Sequence, residues 1–345
     1  MGADPFSSHH RAVLEDIVSL TAQARAFMLC LVVHSTGSTY RKAGALALVA
    51  ADGSRRGVIS GGCLEADLES AATSALKEGR PRLAIYDTRD EDDELFGSGS
   101  GCRGRIQVLL LPVISGARHA LCEALLSADR AHEVLKAAIV TRGRNLGGGC
   151  AWSASRETAL APRFDAVRAV KDHAPGEYPL ADESLCAVLC VPPSPRLMLL
   201  GAGPEAPALI RMAGELGWGV TIADHREAPL RARGARAERV ICAPPAEALA
   251  AVDAERFDAC IVMTHTAAND RAALAALARR NDPFVGLLGP PGRRDALLGA
   301  LDPAARAALT SRLHAPVGLN LGAYGPEALA LSICAELQRF LARGE

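Results

Sequence analysis

Leu197-Met198-Leu199-Leu200-Gly201-Ala202-Gly203-Pro204-Glu205-Ala206 is the stretch that decides the fold. A short apolar run enters a glycine turn. Leu209, Met212, Ala213 and Leu216 then recur at helical spacing, and a second apolar run over 220–223 ends in Asp224. This is the setting in which the G-x-G-x-x-A form of the dinucleotide fingerprint operates. Gly201 allows the tight turn, Gly203 the close approach of a ligand, and an acid about 20 positions on reaches a ribose hydroxyl. The pattern predicts a Rossmann-like parallel sheet. Further strands are expected at 239–242, 259–264 and 284–288, with helices at 246–252, 269–280, 303–313 and 326–342. The last helix opens on a proline at a tolerated first-turn position. Pro204 removes a backbone N–H from the turn where phosphate would be cradled, so fold and dinucleotide binding are separate questions.

Upstream, Pro175-Gly176, Pro179 and Pro192-Pro193-Ser194-Pro195 punctuate the chain and divide it into domains at 1–193 and 194–345. The first domain reads as mixed α/β. Strands at 27–33 and 46–50 flank the loop Thr36-Gly37-Ser38-Thr39-Tyr40-Arg41-Lys42-Ala43-Gly44, and Asp52-Gly53 signals a hairpin turn into a strand ending at Ser60. In Gly57-Val58-Ile59-Ser60-Gly61-Gly62-Cys63-Leu64-Glu65, the spacing of Leu64, Leu68, Ala71, Ala72 and Ala75 places Cys63 near a helix N-terminus. Unpaired amides and the helix dipole favour thiolate there, and Gly61 and Gly62 remove side chains that would keep a ligand away. The competing reading is a buried cysteine beside a tight corner. Cys102, after Gly101 and before Arg103 and Arg105, lies on a glycine loop entering an apolar strand at 106–111, and positive charge also favours thiolate. Arg41 and Lys42 suit phosphate charge, or form a solvated basic loop. The acidic run 90–94 reads as a solvated loop.

Composition narrows the function classes. With 345 residues, 49% apolar and 22% charged, the chain has the make-up of a soluble globular protein with two cores. A net charge of -1 lends no support to a nucleic-acid or acidic-membrane partner. The most apolar stretch, 185–200, is cut by Pro192, Pro193 and Pro195, so no membrane span is expected, and no secretory signal is visible. Ten scattered cysteines then read as reduced thiols in the cytoplasm. Cys186 and Cys190 lack a second pair at zinc spacing and read as structural, while Cys30, Cys122, Cys242, Cys260 and Cys334 read as core.

Taken in order, Gly37-Ser38 with Arg41 and Gly44-Ala45, Ser60-Gly61-Gly62-Cys63-Leu64-Glu65, Gly101-Cys102, the Rossmann segment, Met263-Thr264-His265, Gly286-Leu287-Leu288-Gly289, His314-Ala315-Pro316-Val317-Gly318-Leu319 and the helix at 326–338 resemble the XdhC/CoxI family of xanthine dehydrogenase accessory factors. The resemblance runs from about residue 27 to 338, across both domains. It implies a cytosolic maturation factor that binds molybdenum cofactor, as molybdopterin or its dinucleotide form. Such a factor supports cofactor sulfuration with a cysteine desulfurase and delivers it to a molybdenum hydroxylase apo-enzyme. A homodimer is expected. Cys63 is the first candidate for metal ligand or sulfur-handling residue and Cys102 the second, with Arg41, Ser60, Gly61, Gly62, Gly101, Gly201, Gly203, Asp224 and His265 as candidate cofactor contacts. His265 ends a strand at the edge where nucleotide folds bind ligands; His314 reads equally as a satisfied loop histidine. Tyr40, Pro204 and Arg103 stand where the family often has proline, histidine and glycine, which leaves pterin, pterin dinucleotide and NAD(P) open as ligands. The alternative readings are an NAD(P)-dependent oxidoreductase, with His225-Arg226 accommodating a 2′-phosphate, and a scaffold that docks desulfurase and target without holding cofactor.

Overall fold

The computed structural model describes residues 10–62, 64–88, 103–160, 165–322 and 324–343. Two compact units part between Pro193 and Ser194. The N-terminal unit runs through α1 (His10–Ala22), β1 (Phe27–Gly37), β2 (Leu46–Ala50), β3 (Arg55–Arg56), α2 (Glu65–Glu78), β4 (Arg82–Asp87) and β5 (Gly104–Val113). It continues with α3 (Ala120–Ala131), β6 (Leu135–Arg142), β7 (Gly149–Trp152), β8 (Glu157–Leu160), β9 (Gly176–Pro179) and β10 (Leu185–Val191). Its antiparallel sheets have the orders β3-β2-β1-β5-β4 and β8-β7-β6-β10-β9.

The period of two along β1 sorts its side chains between two cores. Phe27, Leu29, Leu31 and Val33 join Leu109 and Leu111 of β5, Ile17 of α1 and Ala187 and Leu189 of β10. Met28, Cys30 and Val32 face the other way, onto Leu68, Ala72 and Ala75 of α2. Burial on both faces explains why the run is apolar without interruption. The strand expected to reach Ser60 stops at Arg56. Gly57 turns the chain at φ +80, with its backbone so close to β2 that a Cβ would lie 2.6 Å from the Leu46 carbonyl oxygen, and residues 58–62 bend toward α2.

The C-terminal unit comprises β11 (Arg196–Leu200), α4 (Ala206–Glu215), β12 (Gly219–Asp224), α5 (Glu227–Arg233), β13 (Arg239–Cys242), α6 (Pro245–Ala251) and β14 (Ala259–Val262). It closes with α7 (Ala267–Leu277), β15 (Phe284–Leu287), α8 (Pro291–Gly299), α9 (Pro303–Thr310), β16 (Leu313–His314) and α10 (Pro326–Arg343). The parallel order β13-β12-β11-β14-β15-β16 reverses direction at β11 and β14, as a doubly wound sheet requires. On central β11, Leu197 and Leu199 pack with α4 and α10, while Met198 and Leu200 pack with α6 and α7. The helix expected over 303–313 ends at Thr310, and Leu313-His314 pair with β15 as an edge strand. Cys242, expected in the core, is exposed at the end of β13, an outer strand whose side chains are mostly in solvent. Among the described residues no helix is long and apolar enough to cross a membrane.

Gly201 at φ +123 is the tightest point of the parallel sheet, where a Cβ would lie 2.3 Å from the Met263 carbonyl oxygen. Gly201→Ala is expected to destabilise the C-terminal unit by about 2 kcal/mol or more. Urea unfolding followed by Trp218 emission in a Trp152→Phe background measures this, and an unchanged midpoint would show that the turn relaxes freely.

Candidate functional site

In the N-terminal unit the glycine loops are built around one end of the first sheet. β1 ends at Gly37, φ +70, and Ser38 donates its N–H to the Arg103 carbonyl at 3.1 Å. Gly104 is pressed against Ser38 and Thr39, where a Cβ would lie 2.4 Å from the Ser38 carbonyl oxygen. Thr88 ties the end of β4 to the same place: its hydroxyl donates to the Gly104 carbonyl at 2.9 Å and accepts the Gly104 N–H at 3.1 Å. On the other side of the loop the ring of Tyr40, 62% exposed, borders Gly61. Arg103 and Gly104, which follow Cys102, and Gly61, which precedes Cys63, therefore flank the 37–44 loop. Cys63, Gly101 and Cys102 themselves lie outside the described residues.

Ser60 and Glu65 hold the second loop. The Ser60 hydroxyl donates to Glu65 Oε2 at 2.6 Å and accepts the N–H groups of Gly62 and Leu64, and the Ser60 N–H donates to Glu65 Oε1 at 2.9 Å. Burial works to raise the Glu65 carboxyl, but the Ser60 hydroxyl and the amides of Ser60, Leu64 and Glu65 outweigh it and hold the group below its ordinary value. Gly62 sits at φ +114, a backbone conformation that favours glycine, and among the described residues no atom beyond its chain neighbours lies within 4 Å of where a Cβ would be. Arg41 is buried; burial, with the Arg41 charge adding to it, lowers the His10 pKa to about 4. Lys42 remains at the loop, its ammonium donating to the Gly37 carbonyl at 3.1 Å and Thr39 Oγ1 at 3.0 Å.

The C-terminal crevice is closed around its own groups. Asp224 ends β12 and is 2% exposed. It accepts the Ala202 N–H at 2.8 Å, the Arg226 N–H at 2.8 Å, and the Arg226 guanidinium through Nε at 2.9 Å and Nη2 at 2.8 Å. Burial works to raise this carboxyl, but the guanidinium and the two amides prevail and hold it at about 2. Over Gly203, the place a Cβ would occupy lies 2.5 Å from Glu205 Oε2 and 2.6 Å from His265 Nε2. Those two side chains pair at 3.3 Å. His265 takes φ +61, an unusual conformation for a bulky residue. Its neighbour Thr264 is fixed by the fully buried Asp270, which accepts from the Thr264 hydroxyl at 2.5 Å and from Arg293 at 2.6 and 3.1 Å.

His314 is held structurally. Its Nδ1 lies 2.9 Å from Glu336 Oε1, its ring stacks on Phe284 at 3.8 Å, and Glu336 also accepts the Gly318 N–H, which ties the His314–Gly318 motif to α10. Cys186 is buried in β10, and among the described residues no group of His, Cys, Asp and Glu could hold a metal ion. Burial pushes the Cys30, Cys122, Cys186 and Cys334 thiols up to about 12, which makes them poor nucleophiles and ligands. Sequence reasoning missed Glu65, Glu205, Asp270 and Arg293. Glu65, Glu205 and Asp270, acids at helix starts, carry a local signal; the pairing of Asp270 with Arg293 spans 23 residues of sequence.

Two outcomes follow from these carboxylates. Because Asp224 is held below its ordinary value of 3.8, its stabilisation is complete above that value and is lost as pH falls through about 2. Roughly 2 kcal/mol of acid-dependent stability should therefore disappear in Asp224→Asn, as measured by urea unfolding at about pH 5 and about pH 2.5. Ser60→Ala should raise the Glu65 pKa toward that of an ordinary glutamate in an NMR titration and cost about 1 kcal/mol. A Glu65 titration that does not move would remove Ser60 as the organiser of the loop.

Residues 197–337 match the family profile described as the XdhC Rossmann domain, and residues 20–87 match that of the XdhC and CoxI family. A probable xanthine dehydrogenase subunit of Bacillus subtilis (strain 168) is 31% identical over 320 residues, which span 90% of this chain and 92% of that protein. An uncharacterized protein YqeB of Escherichia coli (strain K12) is 24% identical over 336 residues, 94% of this chain and 45% of that protein. A crystal structure described as a xanthine dehydrogenase from Bacillus halodurans superposes with a TM-score of 0.79 at 29% identity, covering 96% of each chain. The chain belongs to the XdhC and CoxI family.

Proposed function

We propose that this protein is an accessory factor for a molybdenum hydroxylase of the xanthine dehydrogenase type. It binds the molybdenum cofactor as cargo, supports replacement of an oxo ligand by sulfide together with a cysteine desulfurase, and delivers the cofactor to the apo-enzyme. The observation that carries this reading is the meeting of the glycine loops at one end of the N-terminal sheet, with Tyr40 beside Gly61 and Ser38 and Thr39 against Gly104.

The residues present fit such a group. The cargo carries a pterin ring, a phosphate and a dithiolene. The exposed Tyr40 ring offers a stacking face. The bare backbone at Gly61 and Gly62 suits a bulky ligand, because among the described residues a Cβ at Gly62 would meet nothing within 4 Å. Lys42 supplies a positive charge that its two loop hydrogen bonds hold in place. When bound, the cofactor supplies a molybdenum centre for which a soft thiolate is a suitable ligand. Cys63 and Cys102 are the proposed thiols, the first as ligand or sulfur carrier.

The oxidoreductase reading is less well supported by the C-terminal crevice. The Ala202 N–H is already bound to Asp224, Pro204 has no N–H, and the Glu205 carboxylate stands over Gly203 where a pyrophosphate would approach. Protein purified without oxygen is expected to carry molybdenum and pterin in near-equal amounts. Cys63→Ala should weaken retention tenfold or more, about 1.4 kcal/mol. Equal retention by both proteins in an anaerobic binding assay would take Cys63 out of the site.

A further inference from the structure

In a dinucleotide fold the acid at the end of the second strand is free to bind the hydroxyl pair of a ribose. Asp224 is not free. Both of its oxygens are bound by the Ala202 amide, the Arg226 amide and the two-pronged Arg226 guanidinium, and His225 Nδ1 lies 3.4 Å from Oδ1. A ribose diol would have to displace a charge-assisted pair from a nearly dry carboxylate, which costs more than neutral hydroxyls return.

The same contacts leave part of a cation exposed at the end of β12. With Nε and Nη2 engaged, Arg226 keeps Nη1 without a protein partner among the described residues, and 45% of its side chain is exposed. Arg233 donates Nη1 to the Ala202 carbonyl at 2.9 Å, which brings a second guanidinium to the turn. His225 and Asn269, 3.3 Å apart, add further polar groups beside them. Two guanidinium groups and two carboxylates, Asp224 and Glu205, therefore meet at this turn, and among the described residues Nη1 of the half-exposed Arg226 side chain is a cationic group left open at the β12 end. The other carboxylate at the turn, Glu205, is occupied with His265.

We propose that the β12 end of the C-terminal crevice is a phosphomonoester site. Arg226 is its anion-binding residue, and Asp224 is a positioning residue that holds the guanidinium and rejects a ribose diol. The proposal rests on the proposed function only for the identity of the ligand. A pterin monophosphate ends in a phosphomonoester and its dinucleotide form does not; NADP⁺ carries one on its 2′-oxygen and NAD⁺ does not.

Isothermal titration of the full chain against two matched pairs tests this. One pair is NADP⁺ and NAD⁺. The other is the air-oxidised, phosphorylated pterin released from molybdenum cofactor, and the same pterin after phosphatase treatment. The phosphorylated member of at least one pair is expected to bind tenfold or more tightly, about 1.4 kcal/mol, and the pair that shows the preference identifies the source. Arg226→Gln should abolish the preference, and Arg226→Lys should keep part of it, because charge remains while the fork is lost. The wild-type pairs decide the matter even if Arg226→Gln does not fold. Equal affinity within both pairs, no binding of any of the four, or a preference retained in folded Arg226→Gln overturns the site. Equal binding of both pterins leaves the proposed function standing, whereas a preference confined to NADP⁺ keeps the site and counts against that function.

Discussion

The C-terminal unit depends on a carboxylate taken out of water and surrounded by donors. Asp224 sits at the end of β12, and the amide it accepts from Ala202 belongs to the turn that leaves β11. One side chain thus fixes the separation of two strand ends and the path of the glycine turn between them. A buried charge is tolerable only when fully hydrogen-bonded, and here the guanidinium of Arg226 completes the set. The consequence reaches function: the acid that a dinucleotide fold uses for its ligand is used here for the protein.

The N-terminal unit repeats the device with different residues. Glu65 at the start of α2 binds the hydroxyl and amide of Ser60, and that hydroxyl in turn accepts the amides of Gly62 and Leu64. In both units a glycine segment that would otherwise sample many conformations is pinned by a carboxylate further along the chain, Glu65 at the start of the next helix and Asp224 at the end of the next strand. Glycine gives the backbone access that a large ligand needs, and the carboxylate limits the conformational freedom that glycine brings. Asp270 does the same for the turn after β14, where His265 is held at φ +61.

Burial sorts the thiols. Cys30 faces α2 beneath the first sheet, Cys122 and Cys334 lie on the inner faces of α3 and α10, and low polarity around them opposes ionisation. The proposed soft-ligand chemistry accordingly calls on Cys63 and Cys102 rather than on these buried thiols.

The sequence by itself determined the parallel sheet. The run 197–200, the turn at Gly201 and the acid at Asp224 are local signals, and they became β11, the tight corner and the end of β12. It also determined the strands at 27–33 and 46–50, because apolar runs read without distant partners, while their antiparallel pairing came from the fold. Tertiary structure alone decided what the site residues bind. Arg41 turned inward toward His10, Ser60 turned to Glu65, and Glu205 met a histidine 60 residues away. Each of those outcomes depends on which groups the fold brings within about 3 Å of a charge, a distance that spacing along the chain does not encode. Cys242 moved from expected core to surface for the same reason: an outer strand carries an apolar pattern like an inner one until its place in the sheet is known.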